Sequence, residues 1–87
     1  MIPGEEFVRQ GIRDLARGRE TIPALLVSIG APRLRRLGLR ITHRTFLSPE
    51  HRLYEKLRDS NPDASHSQYN ALIRRLVSFE RAAECVK

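Results

Sequence analysis

The stretch SHSQYNALIRRLVSFERAAECV, Ser65 to Val86, decides the fold. At about 100° per residue, Tyr69, Leu72, Ile73, Leu76, Val77, Phe79, Ala83 and Val86 cover an arc of roughly 180°. A helix packed on one side needs an apolar stripe of little more than about 100°. So this helix either stands central in a bundle or offers part of its face to a second subunit. A small domain needs one shared core element, and the central place is the expectation. Cys85 falls opposite the middle of the arc and is expected exposed, with a free thiol.

Working outward, Ser65 and Gln68 fit a capping box that opens the helix at His66. Asn61-Pro62-Asp63 makes the turn before it. Ser48-Pro49-Glu50 starts another helix, with a serine cap, proline at the first position and an acid in the first turn. Leu53, Tyr54 and Leu57 are its inward face. Leu39 to Leu47 has no helical period and reads as an extended crossover, with Phe46 and Leu47 anchoring its far end.

Thr21 caps a helix over Ile22–Leu37, interrupted by Gly30-Ala31-Pro32, so the helix kinks or breaks near Pro32. Gly38 as the left-handed residue after its end makes Leu34 and Leu39 the apolar pair of a Schellman ending. Gly4–Arg17 is the first helix, with Glu5 and Glu6 in its first turn, and Gly18 ends it. The two-residue link Arg19-Glu20 makes these helices an antiparallel hairpin.

The expectation is an all-α, single-domain bundle of four helices over residues 1–87, with the long C-terminal helix central. Its core draws on Phe7, Ile12, Leu15, Leu25, Leu26, Ile29, Leu34, Leu37, Leu53, Leu57, Tyr69, Leu72, Ile73, Leu76 and Phe79.

The formal charge is +6, from fourteen arginines and two lysines against ten acids. Its distribution says more than its total. Residues 1–20 balance, whereas Thr21 to Leu47 holds five arginines and no acid. These are Arg33, Arg35, Arg36, Arg40 and Arg44. Arg9, Arg13 and Arg17 form a second row at i, i+4 and i+8 on the first helix, and a solvated flank is the plainer account of it. His66 and Gln68 stand at a helix N-terminus, where short polar side chains reach phosphates or base edges.

No catalytic pattern stands out. His43, His51 and His66 lie in separate segments, none paired at metal-ligand spacing, and a single cysteine excludes a disulfide framework. No Gly-rich phosphate loop, nucleophile elbow or paired-carboxylate arrangement is present. No apolar run approaches the roughly 20 residues of a membrane span. The first residues carry no signal-peptide pattern, and a reducing, cytoplasmic setting is expected.

These observations point to a non-catalytic binding module, with neither metal nor cofactor, that presents Arg33, Arg35, Arg36, Arg40 and Arg44 to an anionic partner. Nucleic acid is the first expectation, because up to five arginines can neutralise phosphates and release counterions. Arg9, Arg13, Arg17, His66 and Gln68 are secondary candidates. The rival is a protein–protein module, either an adaptor for an acidic surface or a homodimer.

Overall fold

A computed structural model describes residues 2–41 and 44–86. The described residues form four helices and no strand: α1 (Glu5–Ala16), α2 (Ile22–Arg36), α3 (Pro49–Ser60) and α4 (Ser65–Val86). Thr42 and His43, in the middle of the crossover, lie outside them.

Local chemistry explains most helix ends. The Thr21 hydroxyl accepts a 3.2 Å hydrogen bond from the Ala24 amide, so α2 opens on a side-chain cap. The α2 end is a Schellman motif: the Leu39 amide donates to Leu34 and the Gly38 amide to Arg35, with Gly38 at φ +98°. The α1 end repeats it, the Arg19 amide donating to Asp14 and the Gly18 amide to Leu15. Positive φ suits glycine at both places.

Two helix starts differ from expectation. Ser48 precedes α3, but it adopts left-handed geometry (φ 46°, ψ 53°) and its side chain makes no capping bond. Proline at the first helical position and Glu50 in the first turn carry this start. Ser65 is not the cap of α4 but a buried first-turn residue. Its hydroxyl donates to the Pro62 carbonyl, while the Gln68 amide donates to Ala64. The capping box is therefore absent, and the Gln68 side chain is exposed.

Pro32 lies inside α2, which stays helical from Ile22 to Arg36 without a break. Proline withholds one amide from the Ser28 carbonyl, and the remaining ladder carries the helix through.

The central place belongs to α2, not to α4. It alone packs extensively against all three other helices. Ala24, Leu25, Leu26, Val27, Ala31 and Leu34 are all within 1% of complete burial. Small residues make this closeness feasible. A Cβ on Gly11 would stand 2.3 Å from the Pro23 carbonyl oxygen and 2.5 Å from Val27 Cγ2, so α1 presses backbone to backbone on α2. Gly30 performs the same service for α4, with Leu76 and Glu80 over it. The pairing of Asp14 with Thr21 and Gly11 with Pro23 and Val27 gives the antiparallel α1–α2 hairpin.

The α4 helix buries Leu76 and Phe79 fully and leaves Tyr69, Leu72, Ile73, Val77 and Ala83 half-buried. Its wide apolar arc is thus shared between the core and open grooves on either flank. Phe7, Ile12, Ile29 and Leu37 are also half-buried, whereas Val8, Val27 and Ile41 complete the core. Leu47 does not anchor the crossover; it is 82% exposed.

Candidate functional site

The crossover folds back along α2 and is fastened to it at two points. The buried Ser28 hydroxyl donates to Ala24 O and accepts from the Phe46 amide at 3.3 Å. Farther along α2, Arg35 Nε donates to the Ile41 carbonyl at 2.9 Å, and the Ile41 side chain enters the core. Both bonds tie the crossover to α2, so Arg40 and Arg44 ride on a chain fastened beside the helix that bears Arg35.

The five arginines of this segment divide by what they meet. Arg33 turns toward α4: it lies 2.8 Å from Glu84 and 3.6 Å from Glu80. A segment without an acid in sequence is therefore not without acids in space. Arg35 is different, because a carbonyl fixes it without cancelling its charge. Arg40 and Arg44 are exposed, and neither forms an ion pair among the described residues. Arg36 is exposed at the end of α2 and lines, with Arg33, Leu37 and Glu84, a hollow of about 450 Å³.

The secondary candidates are scattered. Arg9 pairs with Glu5 at 3.2 Å, and Arg13 donates to Gln10. Arg17 is the C-terminal cap of α1 and is exposed. His66 lies edge-on to Tyr54, with ring centroids 6.5 Å apart, and Gln68 lines a separate apolar cleft. In the first-helix row, Arg9 and Arg13 are thus engaged with neighbours on their own helix.

Two carboxylates have roles that spacing did not disclose. Asp14 is buried and accepts from the Thr21 hydroxyl at 2.7 Å and from Gln10 at 2.9 Å. The Thr21 hydrogen bond holds its carboxyl below the usual range. Desolvation opposes that, and Gln10, Arg19 and Arg13 reinforce it. This acid fastens the α1–α2 turn. Glu80 is 4% exposed beside Gly30. Burial pushes its pKa up, Arg33 pulls it back, and the like charge of Glu84 adds to the rise. The available sequence signal was Gly30, the small residue that lets an acid from another helix enter.

His51 pairs with Glu55 on the α3 surface. Among the described residues no group of three or more His, Cys, Asp or Glu could hold a metal ion, and no helix is long and apolar enough to cross a membrane. Cys85 is exposed and free. No protein-family model, curated protein or solved structure matches the chain.

Proposed function

We propose that the protein is a non-catalytic binding module that takes an anionic partner, nucleic acid first, on the α2–crossover surface through Arg35, Arg40 and Arg44, with Arg36 alongside. The observation that carries this reading is the Arg35–Ile41 bond. It orders an arginine without neutralising it, and it fixes the chain that bears two further exposed cations. An arginine already held in place loses less side-chain entropy when it meets a phosphate. Arg33 leaves the working set, since Glu80 and Glu84 compensate it. The binding is electrostatic and tolerant of sequence, because phosphate contacts position a protein without reading bases.

The experiment is titration of a short duplex DNA and a single-stranded RNA at several salt concentrations. Three phosphate contacts predict a log–log slope of about −3 on duplex. Affinity that ignores salt would remove the reading.

An acidic protein surface is the second reading, and Leu47 favours it. An exposed leucine three residues from Arg44 supplies the apolar contact that protein interfaces use beside arginine. A homodimer would instead draw on the half-buried Ile73 and Val77 of α4, and sedimentation at low and high concentration tests it.

A further inference from the structure

A cleft on another part of the molecule, lined by residues of all four helices, has no part in that reading. Phe7 of α1, Ile22 and Pro23 of α2, Leu57 of α3 and Leu72 of α4 supply its apolar walls, and its volume is about 500 Å³. Small-molecule sites fall in the range of roughly 300–1,000 Å³, with apolar walls and few polar groups. The cleft exists because α1 spends its close contact on α2, through Gly11, and meets α4 chiefly near Gly4 and Phe7.

One charged residue lines it, Arg75 of α4. The guanidinium carbon lies 4.8 Å from the Phe7 ring centroid, a cation–π contact that holds the cation against the apolar wall. No acid forms an ion pair with Arg75 among the described residues. The same arginine borders a smaller polar hollow with Glu6, Gln10 and Arg13. Arg13 is engaged there with Gln10. Gln68, two helical turns before Arg75, lines the cleft as well, about 10 Å away along the α4 axis.

We propose that this cleft binds a small apolar monocarboxylate, its hydrocarbon body against Phe7, Leu57 and Leu72 and its carboxylate on Arg75. The walls select an apolar body. The guanidinium selects a negative head group, and as the one charged residue lining the cleft it matches a single carboxylate. The site is independent of the arginines on the α2–crossover surface.

The test is titration of isotope-labelled protein with octanoate and, separately, with octanol, following backbone amide shifts. Octanoate should produce saturable shifts centred on Phe7, Leu57, Ala71, Leu72 and Arg75. It should bind about tenfold tighter than octanol, as expected for one charge-assisted hydrogen bond open to water. Arg75→Gln should erase that preference, the variant binding octanoate no more tightly than octanol. Ala71 is exposed on the cleft rim, so Ala71→Trp should fold and block both ligands. The proposal is overturned by non-saturable shifts, by shifts centred elsewhere, by equal wild-type affinity for the two ligands, or by an octanoate preference that survives Arg75→Gln. The wild-type comparison decides the matter even if a variant is unstable.

Discussion

The Arg33 guanidinium lies 2.8 Å from the Glu84 carboxylate, across 51 residues of sequence. This contact joins the C-terminal halves of α2 and α4 and places the buried Glu80 within reach of the same arginine, at 3.6 Å. It also separates Arg33 from the other arginines of its segment. A charge that looks available in sequence serves here to compensate two acids.

Removing that compensation has an unequal cost. Arg33→Met leaves Glu80 buried beside the like charge of Glu84 and should destabilise by about 1–2 kcal/mol, kept low because Arg33 is over a third exposed. Glu84→Gln, at an exposed partner, should cost no more than about 0.5 kcal/mol. Combining Arg33→Met with Glu80→Gln should recover most of the loss. Urea denaturation of the three variants measures this.

Glycine substitutions separate crowding from backbone strain. Gly11→Ala drives a Cβ into the Pro23 carbonyl and Val27, and should cost about 2–4 kcal/mol or prevent folding. Gly18→Ala meets open space and pays only for φ +72°, about 1 kcal/mol. Thermal melts should rank Gly11→Ala well below Gly18→Ala.

Ser48 has the opposite sign. It is the one non-glycine residue with positive φ among the described residues, and it makes no capping bond in return. Ser48→Gly should therefore stabilise, by about 0.5–1 kcal/mol after the greater unfolded-chain freedom of glycine is subtracted. A lower melting temperature would show that the hydroxyl has a partner elsewhere.

The two perturbed acids shape the pH profile in opposite directions. The folded-state pKa of Glu80 lies above its ordinary 4.5, so the native state binds this proton more readily than the unfolded chain. Its contribution improves as pH falls through the raised value and levels off below 4.5. Asp14 lies below its ordinary 3.8; its contribution is complete above that pH and is lost as pH falls through the depressed value. Stability should peak on the acid side of neutrality. Glu80→Gln should raise stability at pH 7 by up to about 1 kcal/mol and flatten the gain on mild acidification. Denaturation midpoints from pH 3 to pH 8 provide the check.

The local reading of the chain carried far because turn chemistry is local. Gly38 declared its Schellman ending, Gly18 the end of α1 and Pro49 the start of α3, from a few adjacent residues. The wide arc of α4 was equally legible. What covers it was not, because periodicity gives the width of an apolar face and says nothing of its neighbours. Gly11 and Gly30 permit the close approaches that put α2 at the centre, and each depends on a residue from another helix. The neighbours of Arg33 were hidden in the same way. Its acids arrive through tertiary folding, as does the carbonyl that orders Arg35.

The central claim is that place, not total charge, makes the binding surface, and two charge-matched variants test it most directly. Arg35, Arg40 and Arg44 become glutamine in one; Arg58, Arg74 and Arg81, exposed on α3 and α4, become glutamine in the other. Duplex DNA is titrated against both at several salt concentrations. The first variant should lose at least about tenfold in affinity and flatten the salt slope by about 2 to 3, while the second stays close to wild type. Equal losses in the two variants would contradict the account.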